Sequence, residues 1–433
     1  MKKSLLWIVV LVLSMLVVVA FSLAGYKTTA AAETTTAKTT TETPVEQVNL
    51  TYMINYGAGE AITNATQVAV DAFNAANADI VVELISGSAD YESLMKAKMA
   101  ANELPDMWAT HGWSIARYSE YLTPLEDQSW ADSLITVLKS VITDKDGHVY
   151  VLPIDVDIAG VAYNKDVVAK AGVDVTTIKN WDDMFAAMEK IKAIGVTPVH
   201  MGGKDSWTIG NFLDWAAPSV YITDVNNYSG DDLKAGIFDT AKWEIVAGFM
   251  KALKDKGYVN VDVLTSTFGG SAQALGEGAV AFEFYGNYVV AEALTYAPDA
   301  NLGFFPIPAY YAGDEPSLIS GEHNTIGIWK DTKYPEQCKR FLAYLAQPEV
   351  MSALATSTGM AAGLTTATSD TGILINSYDL WSDVEAFGYF DREFLPSGMW
   401  DTMCSTGAGI LSGDMTVKDA AKIMLRDFTQ LYK

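Results

Sequence analysis

The stretch PIDVDIAGVAYNKD, Pro153 to Asp166, decides how the rest of the chain is read. As a strand with side chains alternating between faces, it turns Asp155 and Asp157 to one side and Ile154, Val156 and Ile158 to the other. Residues two apart on a strand lie about 7 Å from each other along the backbone. Two carboxylates at that spacing have four uses: a catalytic dyad, a metal site, a clamp for hydroxyl groups, or a pair of acids facing water.

At 433 residues and 50% hydrophobic composition, the chain suits two lobes of ordinary size better than one small core. Its formal charge is −24, or −27 once residues 1–32 with Lys2, Lys3 and Lys27 are set aside. Nucleic acid is therefore not an expected partner, because binding phosphates needs a basic surface.

Lys2 and Lys3 precede LLWIVVLVLSMLVVVAFSLA, Leu5 to Ala24, twenty residues without a charge. This reads as an export signal, and no later run is long enough for a second membrane span. The apolar run exceeds the roughly 7–15 residues of an ordinary signal core, which leaves two outcomes: cleavage after Ala24 or Ala32, or retention as an anchor. SLAGY, Ser22 to Tyr26, resembles the lipobox of bacterial lipoproteins with tyrosine where the lipidated cysteine would stand. Residues 1–26 are thus expected to be a signal peptide or signal anchor. Residues 27–47, rich in Thr, Ala and Glu without an apolar period, are expected to be a disordered tether. The two cysteines, Cys338 and Cys404, fall in segments of helical pattern and are expected to be free and buried.

From Val48 onward, short β-rich runs alternate with amphipathic helices, the pattern of an α/β fold with helices on both sheet faces. VNLTYMI, DIVVELIS and DMWAT read as strands, separated by the helices TNATQVAVDAFNAAN and YESLMKAKMAAN. Asn180, three before Asp183, and Thr416, three before Asp419, have the spacing of helix caps. DKDGHVYVLP, Asp144 to Pro153, reads as a hairpin turning at Asp146-Gly147; its Asp-x-Asp-Gly start lacks the later ligands of a calcium loop.

The signatures of serine hydrolases, zinc proteases, P-loop enzymes and dinucleotide-binding folds are all missing. The histidines His111, His148, His200 and His323 stand singly, so neither a metal nor a cofactor is expected. A glycosidase draws its acid and nucleophile from separate strands to reach opposite sides of the anomeric carbon, whereas two acids on one strand face suit hydrogen bonding.

Five segments in order carry a resemblance: ELPDMWATHGW, PIDVDIAGVAYNKD, AVAFEFYGNY, NLGFFPIPA and LPSGMWDTM. Together they are similar to bacterial extracellular solute-binding proteins of the maltose-binding type, family 1, from about Val48 to Lys433. The resemblance implies a two-lobed periplasmic-binding-protein fold (type II), α/β, each lobe a mixed sheet flanked by helices and joined by hinge crossings. The N-terminal lobe would hold 48–155 and about 318–366, the C-terminal lobe 156–317 and about 367–433. PIDVDIAGVAYNKD matches the first crossing, where the family places an acid that bonds sugar hydroxyls; that acid falls on Asp157, an aspartate where maltose-binding members carry glutamate. NLGFFPIPA matches the return hinge.

Carried over position by position, the resemblance puts Thr110, His111 and Trp113 at the cleft mouth, Asp205 and Trp207 on the C-terminal lobe, Tyr285 and Tyr288 after a strand and turn, and Trp400 near the C-terminus. Tyr56 and Glu60, in NYGAGE, take the place of N-lobe polar contacts, and Asp155 accompanies Asp157. Tyr288 stands where maltose-binding members have a stacking tryptophan, which weakens the case for a maltodextrin ligand. Physical chemistry agrees with the transfer: a sugar has apolar C–H faces and a rim of hydroxyls, so its site needs flat aromatic surfaces and planar polar side chains. Of the remaining tryptophans, Trp181 is expected to be a structural staple and Trp108, Trp215 and Trp243 core residues.

The expected function is capture of a sugar or oligosaccharide outside the cell and delivery to the permease subunits of an ABC importer, without catalysis, as a monomer, tethered by the N-terminal segment or secreted. The alternatives are service to a chemosensory receptor and, from another class, a carbohydrate-active enzyme; new reducing ends after incubation with oligosaccharides would identify the latter. Because Tyr26 replaces the lipidated cysteine and the next thiol is Cys338, metabolic labelling with a lipid precursor should leave the protein unlabelled. Incorporated label would show that the export signal is of another kind.

Overall fold

Thirteen strands occur among the residues described by the structure, a computed structural model covering 47–87, 91–110 and 115–432. In chain order they are β1 (Val48–Met53), β2 (Ile80–Ile85), β3 (Met107–Ala109), β4 (Val151–Pro153), β5 (Asp155–Ala159), β6 (Val161–Asn164) and β7 (Thr197–Val199). The remainder are β8 (Val280–Glu283), β9 (Leu302–Phe305), β10 (Leu318–Glu322), β11 (Thr325–Ile328), β12 (Ala361–Ala362) and β13 (Ala386–Gly388). They form three sheets, ordered β2-β1-β3-β11-β4, β7-β8-β6-β9 and β12-β5-β10-β13.

The first sheet is parallel from β2 through β3 and antiparallel at β11 and β4. In the second, β7 and β8 run parallel while β6 opposes both of its neighbours. The third sheet lies between them in the chain path. Val151 to Asn164 contributes one strand to each sheet in turn, so the opening stretch is the crossing itself. Gly160 marks the corner between β5 and β6, where a Cβ would stand 1.9 Å from the Phe305 carbonyl oxygen; no other residue fits that approach.

The chain returns through β9, β10 and β11, again one strand per sheet. Here the sequence expectation needs correction. NLGFFPIPA does not make the return crossing: its LGFF is β9, paired with β6, and the crossing belongs to LISGE, Leu318–Glu322. All four β9 residues are buried against the second sheet, which holds that run inside a lobe.

Each outer sheet has its own core. Leu50, Phe73, Trp108, Leu152, Ile326 and Phe341 belong to one, and Trp215, Trp243, Phe282, Phe305 and Phe390 to another, with a smaller cluster around Leu275, Val290 and Phe304. The helix Ala61–Ala76 shows how pattern becomes packing: Ile62, Thr66, Ala69, Val70 and Phe73, at helical spacing, are its buried face. Trp181 is more than a staple, stacking on Phe249 at 4.1 Å inside the second core, while Trp108, Trp215 and Trp243 are buried as expected.

The predicted caps form. Asn180 Oδ1 accepts from the Asp183 N–H at 3.0 Å, and Thr416 Oγ1 from the Asp419 N–H at 3.1 Å. Both cysteines are free and buried. The Asp146-Gly147 hairpin shrinks to a single bridge, Thr143 to Val149, because Asp144 Oδ1 accepts from the Asp146 and His148 N–H groups; the carboxylate stabilises its own turn. Among the described residues no helix is long and apolar enough to cross a membrane, and the segments expected as signal and tether lie outside them, save Gln47.

One buried acid has no evident structural use. Glu283, on β8, is fully buried and neither carboxylate oxygen has a hydrogen-bond partner, so burial pushes its pKa well above the usual range. A carboxyl raised in the folded state holds its proton where the unfolded chain, at about 4.3, has released it, so stability falls as pH rises above that value. Glu283→Gln should therefore gain stability over the parent from about pH 5 to about pH 8, read as a widening difference in melting temperature. A difference that does not change with pH would show that this carboxyl ionises freely in the fold.

Candidate functional site

The pairing of β5 with β10 sets the floor of the site, with Asp157 opposite Gly321. Asp155 and Asp157 share one strand face, and neither is exposed at all, which rules out two acids facing water. Asp155 is held by the Asn324 N–H at 2.8 Å, the Asn324 side-chain amide at 2.9 Å and His323 Nδ1 at 3.3 Å. Asp157 accepts two bonds, from the Asn287 N–H at 3.2 Å and the Tyr389 hydroxyl at 3.0 Å. An ionised carboxylate has about four acceptor positions, so Asp157 retains capacity for a ligand and Asp155 little.

Their electrostatics differ accordingly. Burial would raise Asp155, but the charge and hydrogen bond of His323, with Asn324, hold it below the usual carboxylate range. Burial pushes Asp157 up to about 6 despite the opposing pull of His323, the Asn287 N–H and Tyr389. Burial disfavours the charged form of His323, yet Asp155 and then Asp157 raise it above the usual histidine value. Among the described residues no cluster of three or more His, Cys, Asp or Glu could hold a metal ion.

Aromatic rings cover this floor. Trp207, at the start of the helix Trp207–Ala216, lies 5.0 Å from Phe268, 5.8 Å from Tyr285 and 6.2 Å from Tyr288 between ring centres. Tyr288 stacks parallel on His323 at 5.8 Å, and His323 Nε2 meets the Tyr56 hydroxyl at 3.0 Å. Tyr56 follows β1 in the first sheet and Tyr288 follows β8 in the second, so the chain of rings connects the two sides across the hinge.

Of the residues expected from sequence, Tyr56, Asp155, Asp157, Trp207, Tyr285 and Tyr288 come together here. Asp205 supports the wall, accepting from the Phe268 N–H at 2.8 Å. Two of the expected residues have their hydroxyls turned inward. Tyr285 is buried, its hydroxyl accepting from the Gly202 N–H at 2.8 Å, and Thr110 is buried with its hydroxyl 2.6 Å from that of Thr325. Each hydroxyl is engaged inside its own lobe. Glu60 is exposed and accepts from the Gly57 N–H at 2.7 Å, which stabilises its own loop. Trp400 is half-buried, packed over Gly210 one turn along the helix from Trp207. His111 and Trp113 lie outside the described residues.

Phe268, Asn287, His323, Asn324 and Tyr389 were not expected from the sequence. His323 and Asn324 had a usable signal: GEHN is a polar interruption in the apolar run LISGEHNTIGI, the counterpart of the acids in PIDVDIAG. Tyr389 carries no such local mark.

Asp155 should matter to the ligand-free protein. Asp155→Ala removes the carboxylate that pairs with His323 and accepts from Asn324, and breaking such a buried pair costs about 3–5 kcal/mol. The lowered Asp155 contributes above its unfolded value of about 3.9 and loses its contribution as pH falls; the raised His323 contributes below about 6.5 and loses it as pH rises. The gap in unfolding free energy between Asp155→Ala and the parent, measured by denaturant titration, should be widest between those two values. A constant gap would mean that the pair is not ionic.

The family described as bacterial extracellular solute-binding protein matches residues 59–352. The melibiose/raffinose/stachyose-binding protein MelE of Bacillus subtilis is 30% identical over 363 residues, 83% of this chain and 84% of that protein. Among solved structures, the binding protein MsmE of Bacillus subtilis in an open conformation superposes with a TM-score of 0.81 at 29% identity, covering 89% of this chain and 98% of that one. A sugar transporter from Bacillus licheniformis in complex with stachyose gives 0.79 at 31% identity, covering 89% and 100%. Two lobes joined by paired hinge strands, ringed acids between them and these likenesses agree: the chain belongs to the bacterial extracellular solute-binding proteins.

Proposed function

We propose that this protein captures a sugar of the melibiose, raffinose and stachyose kind between its lobes and presents it to the permease subunits of an ABC importer. The observation that carries the reading is Asp157, a buried carboxylate with unused acceptor capacity beneath an aromatic wall. The names of MelE and of the stachyose complex support the ligand class. Trp207 and Tyr288 would stack on the C–H faces of the sugar, Asp157 and Tyr56 would bond its hydroxyls, and Trp400 and Glu60 would border the cleft. No bond is made or broken.

The lobes are taken as 48–155 with about 318–366, and 156–317 with about 367–433. The two cores support this division outside the hinge strands, one drawing on Leu50 to Ile154 and Ile326 to Leu364, the other on Ala159 to Ile307 and Phe390 to Phe428, while Val156 joins the first core and Ile319 the second. Ligand contacts from both sides would favour the closed arrangement over the open one. The protein would act as a monomer outside the cell, either held near the membrane by its N-terminal segment or secreted.

Calorimetric titration with melibiose, raffinose, stachyose and maltose tests the ligand class; tighter binding of maltose than of all three others would remove it. Charge-assisted hydrogen bonds contribute about 1.5–3 kcal/mol, so Asp157→Asn should weaken binding roughly ten- to a hundredfold. Since an ionised acceptor is required, affinity should also fall as pH drops through the Asp157 value of about 6. Unchanged affinity in Asp157→Asn would end the case for this acid as a ligand.

A further inference from the structure

Tyr389 comes from a part of the chain 232 residues beyond Asp157, yet its hydroxyl donates to Asp157 Oδ2 at 3.0 Å. The ring is held on two sides. On one it lies against Gly321, the residue opposite Asp157 in the strand pair; a Cβ there would stand 2.2 Å from the ring. On the other, the Arg392 guanidinium lies 4.3 Å from the ring centre, and Arg392 is itself fixed by the Glu322 carbonyl at 3.1 Å and the Glu322 carboxylate.

The backbone beside it is also anchored. Phe390 is fully buried, 5.2 Å from Tyr221, and the Asp391 N–H donates to Asp214 Oδ1 at 2.6 Å. A ring confined in this way cannot swing aside without disturbing the hinge pairing and the Arg392–Glu322 contact together. This argues against a phenol that merely occupies the ligand's place until displaced.

We propose that Tyr389 is a positioning residue for sugar binding: its hydroxyl engages one oxygen of Asp157 and holds the carboxylate so that the acceptor positions left over face the ligand. The inference rests on the reading of Asp157 as a sugar ligand. The other titratable groups around that carboxylate are His323, Asp155, Tyr288 and Tyr378, with Arg392 behind the Tyr389 ring.

Tyr389→Phe keeps the ring between Gly321 and Arg392 and removes only the donor. Titrated with stachyose, the variant should bind about tenfold more weakly at neutral pH, with the ligand-free protein still folding cooperatively and its melting temperature lowered only by the loss of one buried hydrogen bond. Because the phenol helps to keep Asp157 ionised, its loss should also move the acid-side fall in affinity to higher pH than in the parent. In an Asp157→Asn background the same substitution should cost nothing further, since a residue that acts through Asp157 has nothing left to act on. Binding as tight as the parent's or tighter in Tyr389→Phe would overturn the proposal, the latter by showing that the phenol competes with the sugar. An equal loss in the Asp157→Asn background would overturn it as well, by assigning Tyr389 an independent role. Normal binding in Asp157→Asn alone would instead remove the sugar-ligand reading, and this inference with it.

Discussion

The structure depends on the antiparallel pairing of Asp155–Ala159 with Leu318–Glu322, because this ladder carries both crossings between the sheets and buries two carboxylates. Removing a carboxylate from water is costly unless donors replace the lost hydration. The return strand and its turn supply them for Asp155 through His323 and Asn324, which ties the two crossings together at the point where a hinge must be stiff in register yet free to bend. Asp157 finds its donors elsewhere, in the Asn287 N–H of the second sheet's turn and in Tyr389. One acid thus fastens the crossings to each other, and its neighbour is joined to the turn after β8 in the second sheet.

The rings above the acids extend this division of labour. Tyr56, His323 and Tyr288 form a continuous contact from one side of the cleft to the other, and Trp207 and Phe268 back it from the second sheet. Such a surface is apolar enough to take the faces of a sugar and polar enough at its edges to take hydroxyls. Its floor has low access to water, where a charged acceptor is strongest and where an unfilled one is most costly.

Most of the fold could be read locally. Helix and strand periods, the Asn180 and Thr416 caps and the acids of PIDVDIAG follow from nearest-neighbour chemistry that operates whatever the rest of the chain does. The sequence was silent where distant partners decided. NLGFFPIPA has the composition of a crossing but is captured by β6, and the hydroxyls of Tyr285 and Thr110 bond the Gly202 N–H and Thr325 inside their own lobes.

The sequence by itself determined that the chain is acidic, long enough for two lobes, α/β in its pattern, and that one strand bears paired acids, because composition and period are local properties. Only the tertiary structure decided how many acceptor positions each acid has left. Asp155 and Asp157 are equivalent in the pattern, and they differ because His323 and Asn324, far along the chain, surround one, while Tyr389 and the Asn287 N–H leave acceptor positions on the other. Burial, hydrogen-bond saturation and charge depend on what the fold brings within about 3 Å, and no periodicity encodes that.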